Sequence, residues 1–195
     1  MSWRRYFTTY VIVILLAECV LCAQARKEVS YDWAPDVVAA TFLYTVDDYS
    51  LQVSSSSLQR TRLEGVRVEY ASRHFYPWEV VGTAQYSEGS PLGQKLFSAE
   101  GGMGYCRSLK RWTPFVRVAG GAARTSSGDL MYLYAVPKWG FALATSAGID
   151  YQLTPRWGIR TVQFENEYLP YGSRGSVYWS LGTGITYHFA RKERP

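Results

Sequence analysis

From Val37 onward the chain alternates apolar and polar residues with a period of two. The stretch Ser180 to Phe189, SLGTGITYHF, shows it plainly: Leu181, Thr183, Ile185, Tyr187 and Phe189 fall on one side, and Ser180, Gly182, Gly184, Thr186 and His188 on the other. Such alternation is that of a β-strand, in which successive side chains point to opposite faces. The same pattern recurs in eight segments of about ten residues, divided by turn residues. They cover residues 37–46, 63–72, 78–87, 95–106, 112–123, 139–152, 157–167 and 176–189. No segment after residue 25 holds a sustained 3.6-residue period, so the chain reads as all-β.

The connections alternate in length. Short ones fall at 73–77, 107–111 and 153–156, and longer ones, rich in Ser, Gly, Asp and Pro, at 47–62, 88–94, 124–138 and 168–175. An even number of strands with tight turns on one side and long loops on the other predicts an eight-stranded antiparallel up-and-down transmembrane β-barrel, its short turns periplasmic. Both ends of the barrel then lie on the periplasmic side.

Taken strand by strand, one face is almost free of charge: Val38, Ala40, Phe42 and Tyr44, then Val66, Val68 and Tyr70, with Phe141, Leu143 and Ile149 further on. The opposite face carries Arg67, Glu69, Glu79, Glu100, Arg117, Asp150 and Glu165, interleaved with Gly102, Gly104, Gly121 and Gly148. An eight-stranded barrel is just wide enough inside for side chains to fill it, and charges withdrawn from water must pair. These seven residues are therefore expected to form a lumenal ion-pair network. Gly182 and Gly184 are read as leaving lumen space for long Arg and Glu side chains. A charge at Ile185 should then impair assembly more than one at Gly184. Arg160 is left open: strict alternation turns it outward to the headgroups, whereas a bulge between Arg160 and Gln163 would return it to the lumen.

Composition adds aromatic rings. Sixteen Tyr and seven Trp are many for 195 residues, and such amphipathic rings favour places that are apolar at one end and wet at the other. Each short turn runs directly into a tryptophan, Trp78, Trp112 or Trp157. With Tyr187 and Phe189 these make a candidate periplasmic aromatic girdle.

The N-terminus reads as a secretory signal peptide. Arg4 and Arg5 precede an apolar run from Tyr10 that is broken by Glu18, and Ala23, Gln24 and Ala25 form an A-x-A cleavage site. The expected organisation is a cleaved signal peptide at 1–25, a short periplasmic segment at 26–36, the barrel at 37–189 and a periplasmic tail at 190–195. Cleavage would lower the net charge from +5 to +4 and remove Cys19 and Cys22. Cys106 is then alone, which excludes an intramolecular disulfide. No run of five basic residues occurs, so nucleic acid is not an expected partner.

The topology, the inward charged set and the final Tyr187, His188 and Phe189 resemble the small eight-stranded outer-membrane barrels of Gram-negative bacteria, the OmpA-like and opacity-type proteins, over residues 34–189. The run from YQLTPRWGIRTVQFENEY to GTGITYHF is similar to the final hairpin of the outer membrane protein beta-barrel domain found especially in acidobacteria. The resemblance implies residence in the outer membrane, contact with its lipids and lipopolysaccharide, and insertion by the barrel-assembly machinery. Two departures stand out. ARKERP follows the terminal aromatic, and no periplasmic domain for peptidoglycan follows the barrel, so a tethering role is not implied.

Some barrels of this size are lipid A acylases or deacylases, which need a His beside a Ser. Here only His74 and His188 exist, both at the periplasmic end, and no His-x-Ser motif occurs. No catalytic residues, cofactor or metal ligands are expected. Asp47 with Asp48, and Glu165 with Glu167, read as solvated or ion-paired carboxylates rather than as a cation site. The reading is thus a structural or surface-interaction barrel with a side-chain-filled lumen. Its alternatives are a narrow, porin-like solute pore and a soluble, secreted lipocalin-like barrel with the apolar face turned inward.

Overall fold

A computed structural model describes residues 36–47, 62–90, 93–126, 138–170 and 176–189. Eight strands follow one another: β1 (Val37–Asp47), β2 (Arg62–Phe75), β3 (Trp78–Ser90), β4 (Gln94–Cys106), β5 (Trp112–Ser126), β6 (Lys138–Gln152), β7 (Trp157–Leu169) and β8 (Ser176–His188). Each pairs antiparallel with the next, and β8 returns to β1 from Val37↔His188 to Asp47↔Tyr178. Closure leaves no strand edge with unpaired backbone groups.

The alternation decides which way each strand faces, and the faces are inside out relative to a water-soluble barrel. Phe42, Val66, Val68, Val80, Met103, Val118, Phe141, Leu181 and Ile185 are exposed on the outer surface. Inside lie Arg67, Glu69, Glu79, Gln85, Arg117, Asp150, Arg160, Gln163 and Glu165, all buried. This orientation contradicts the lipocalin-like alternative, which needed the apolar face within.

Several strands run longer than the sequence pattern suggests. β2 continues through Phe75 and β3 through Ser90, so the connection expected to be long at 88–94 shrinks to residues 91–93. β2 carries an irregularity between Ser72 and Phe75, just before the two-residue turn at Tyr76 and Pro77. The turn residues of sequence reading thus include a strand end.

A second irregularity resolves Arg160. The β6–β7 ladder passes from Ile149↔Val162 to Asp150↔Arg160, and the β7–β8 ladder from Arg160↔Gly184 to Gln163↔Gly182, so Thr161 is the extra residue of a bulge. The Thr161 hydroxyl donates to the Ile149 carbonyl at 3.0 Å, and the Thr183 hydroxyl to the Arg160 carbonyl at 2.8 Å. These side chains satisfy backbone that a bulge takes out of the ladder. Arg160 consequently points into the lumen and is fully buried.

Glycines on the inward face meet different neighbours. At Gly104 an added Cβ would lie 2.6 Å from Arg117 Cγ and 3.0 Å from Glu79 Oε1, so there the missing side chain does make room for charged ones. Gly182 and Gly184 correct the sequence expectation. An added Cβ at Gly184 would stand 2.1 Å from the Ala40 carbonyl oxygen, and one at Gly182 would meet Leu43, Phe42 and Thr41. Both admit close approach of β1 at the closing seam, not long Arg or Glu side chains.

The interior is layered. At the strand ends bordering the connections 48–61, 91–93, 127–137 and 170–175, Leu63, Leu96, Ala123, Ala142, Leu169 and Tyr178 form a buried apolar cluster drawn from six strands. The charged side chains lie below it, toward the short-turn end.

Candidate functional site

Two features of the barrel have the makings of a site: the charged interior and the aromatic rims of the outer wall. The interior network is organised around four arginines. Arg67 pairs most closely with Glu165, and stands 3.7 Å from Glu100 and 3.9 Å from Glu69. Gln85 accepts a further hydrogen bond from Arg67 at 3.3 Å. Arg117 pairs with Glu69 and Glu79. Arg73 donates to Glu79 at 3.0 Å and lies 3.9 Å from Asp150. Arg160 grips Asp150 at 2.8 Å, reaches Glu69 at 2.9 Å and donates to Gln163 at 2.8 Å.

Every one of the seven interior residues singled out from sequence takes part in these pairs. Glu69 is shared by three arginines from β2, β5 and β7, and Asp150 by two. Such multiple pairing is how a charge is kept in a space from which water is withdrawn. Phe115 projects inward between two cations, with the Arg117 and Arg160 guanidinium carbons 3.8 Å and 4.6 Å from its ring centre. That arrangement suits the negative faces of an aromatic ring. Gly148 leaves space for the ring, since an added Cβ would stand 2.6 Å from it.

Sequence reasoning leaves Arg73 and Phe115 out of this interior, and turns Glu167 inward beside Glu165 without counting it in the network. The sequence pattern puts Arg73 in a turn, yet the alternation Arg67, Glu69, Ala71, Arg73 runs on without a break to the end of β2. Phe115 shares the alternating face of Arg117, Ala119 and Gly121, so its inward direction is legible, but its place between Arg117 and Arg160 of β7 is not.

On the outer wall, Trp78, Trp112 and Trp157 open β3, β5 and β7 and are each about half exposed. Each faces a tyrosine across the ladder: Trp78 meets Tyr105 with ring centres 5.5 Å apart, Trp112 meets Tyr151 at 4.5 Å, and Trp157 meets Tyr187 at 4.9 Å. Phe189 extends the last pair, its ring 5.3 Å from Tyr187. Aromatic pairs across a strand pair add to its stability beyond their burial. The first strand pair has a different device. Tyr70 donates to the Asp36 carboxylate at 2.9 Å, joined by the Ser72 hydroxyl and the Arg73 amide. Partial burial disfavours the charge on Asp36, but these three donors outweigh it and hold the carboxyl below its ordinary range.

A second rim lies near the other end, where Phe97 packs on Trp139 and Phe164 on Trp179, at 5.7 Å and 5.3 Å. Trp139 and Tyr151 are twelve residues apart on β6. Trp179 and Tyr187 are eight apart on β8, so at about 3.3 Å per residue and a strand tilt of about 40° the aromatic residues bound a band about 20–30 Å high, comparable to a barrel's apolar belt. Beyond the upper rim the outer wall turns polar, with Glu88 held by Tyr86 at 2.7 Å and by Lys95 at 3.5 Å.

His188 faces inward beside the Thr186 hydroxyl at 3.3 Å, while His74 sits exposed with its ring against Phe75. Among the described residues no group of three or more His, Cys, Asp or Glu has the arrangement of a metal site.

No family model and no curated protein matches the chain. Solved structures do. Neisserial surface protein A superposes with a TM-score of 0.62 at 15% identity, covering 80% of this chain and 98% of that one. Ail, the attachment invasion locus protein of Yersinia pestis, follows with a TM-score of 0.51 at 16% identity, covering 80% of this chain and 100% of that one. Together with the closed ladder, these likenesses give the chain the fold of the small eight-stranded outer-membrane barrels.

Proposed function

We propose that the chain is an integral protein of a bacterial outer membrane, a structural or surface-interacting barrel whose lumen is filled by its own side chains. One observation carries this reading: the apolar face points outward over a band bounded by two aromatic rims, while the charges are turned in and paired. Only a solvent of hydrocarbon rewards that inversion. In this reading Trp78, Trp112, Trp157, Tyr187 and Phe189 lie at the periplasmic headgroups, and the outer wall contacts membrane lipid and, on the far side, lipopolysaccharide. Export by a signal peptide at 1–25 and insertion by the barrel-assembly machinery complete the proposal. The segments 1–35 and 190–195 fall outside the described residues. Recognition of a surface partner falls to the connections between strands at the end away from the Trp78 rim.

The test is fractionation followed by gel mobility. The protein is expected in the outer-membrane fraction, released only by detergent, and its unheated form is expected to migrate differently from its boiled form. Recovery from the soluble periplasm without detergent would refute the assignment.

Filling of the lumen has its own measurement. The apolar cluster around Leu63, Leu96 and Leu169 lies across the lumen above the paired charges, so purified protein in planar bilayers is expected to give no discrete conductance steps. Regular steps at constant voltage would replace the filled lumen with a narrow pore.

A further inference from the structure

The interior charges do not balance. Among the described residues, four arginines face six carboxylates: Glu69, Glu79, Glu100, Asp150, Glu165 and Glu167. The imbalance is local. Toward the short turns, Arg73, Arg117 and Arg160 interlock with Glu69, Glu79 and Asp150, three against three. Above them, next to the apolar cluster, Arg67 alone faces Glu100, Glu165 and Glu167.

Glu167 is the critical member. Its side chain is 1% exposed, and among the described residues neither carboxylate oxygen has a donor in hydrogen-bond geometry, the Ser98 hydroxyl of β4 being the polar group that stands beside it. Glu100 Oε1 is likewise without a donor. The groups facing this space from the other strands offer little further positive charge. They are Thr41 from β1, Arg67 and Glu69 from β2, Thr83 and Gln85 from β3, Gly121 from β5, Ala144 and Ser146 from β6, and Tyr178 and Ser180 from β8, with Gln163 on β7 itself. A buried carboxylate that shares one cation with two others and lacks a donor is costlier than the neutral acid. The carboxylates come from β4 and β7 on different sides of the lumen, and no metal-holding group is formed there.

We propose that this upper part of the lumen is a proton-binding site, in which Glu100, Glu165 and Glu167 hold two protons taken from solution, one of them on Glu167. Each protonation forms one O–H bond on a carboxylate and removes one negative charge, and no other bond changes. With two protons aboard, the interior is neutral and each acid becomes a hydrogen-bond donor to its neighbours. The inference rests on the interior geometry and stands or falls independently of the membrane assignment.

The infrared spectrum of the folded, detergent-solubilised protein tests it directly. At neutral pH the wild type is expected to show the carbonyl stretch of protonated carboxylic acid, shifted in heavy water and diminished in Glu167→Gln. Linkage supplies a second readout. The folded state would bind protons that the unfolded state releases above the ordinary carboxylate range, so stability falls as pH rises from about 5 until the folded state gives its protons up, with the unfolding constant growing about tenfold per pH unit for each proton still held. The wild type should therefore approach a hundredfold per unit, and Glu167→Gln should remove about one factor of ten. Absence of the acid band in the folded wild type would overturn the proposal. So would a band unchanged in both Glu167→Gln and Glu100→Gln, or stability that responds to sodium concentration in place of pH.

Discussion

Replacing Arg160 by methionine is expected to destabilise the barrel by about 3–5 kcal/mol, the usual cost of taking one partner from a buried ion pair. Methionine fills a similar volume, so the loss reads the charge and its hydrogen bonds rather than a cavity. Three acceptors lose their partner at once: Asp150, Glu69 and Gln163. Glu69 keeps Arg117 and Arg67, whereas Asp150 retains only the longer approach of Arg73. Neutralising it in Arg160→Met with Asp150→Asn should accordingly recover part of the loss. Urea unfolding of protein refolded into lipid vesicles would measure both steps, and a cost below about 1 kcal/mol for the single change would sink the view that Arg160 holds the lower network together.

The second large effect belongs to the outer wall. Val118 lies six residues along β5 from Trp112, midway between the rims, and is half exposed. Val118→Arg is expected to cost about 2–4 kcal/mol, the penalty for a cation at mid-membrane depth, whereas Ile185→Arg, two residues from Tyr187, should cost less because the side chain can reach the headgroups. The same unfolding assay compares them. Equal costs at the two depths would show that the Trp and Tyr rims do not mark the membrane boundary. Gly184 cannot serve as the inward control that the alternation alone suggested. Any side chain there collides with the Ala40 carbonyl, so a poor result would report strand spacing and say nothing about which face meets lipid.

Much of this fold was legible because both faces of every strand carry a pattern. Period-two alternation alone separated Phe42, Val66 and Phe141 from Arg67, Glu79 and Asp150, and all eight strands followed from it. Strand ends were harder. The bulge at Thr161 and the irregularity between Ser72 and Phe75 have no compositional mark. The first leaves Arg160 undecided by alternation alone; Arg73 keeps the alternation of Arg67, Glu69 and Ala71 and is lost only where the strand is ended too early. Which charge meets which was not legible either. Partners such as Glu69 and Arg160 are far apart in the chain, and they meet only because strand stagger and closure bring β2 opposite β7. The apolar cluster at the upper end escaped notice for a related reason. Leu63, Leu96 and Leu169 resemble lipid-facing residues until their place in the alternation is fixed.

That cluster also decides how the protein responds to ionic strength. Mobile ions screen charges only where they can approach, over a Debye length of about 8 Å at physiological ionic strength. Leu63, Leu96, Leu169 and Tyr178 stand between bulk electrolyte on their side and arginines that are no more than 3% exposed. The Glu88 and Lys95 pair on the outer wall, each about half exposed, lies in reach of every added ion. Salt should therefore loosen the rim while the interior holds its attraction, so the barrel's cohesion is insulated from the tonicity of its surroundings.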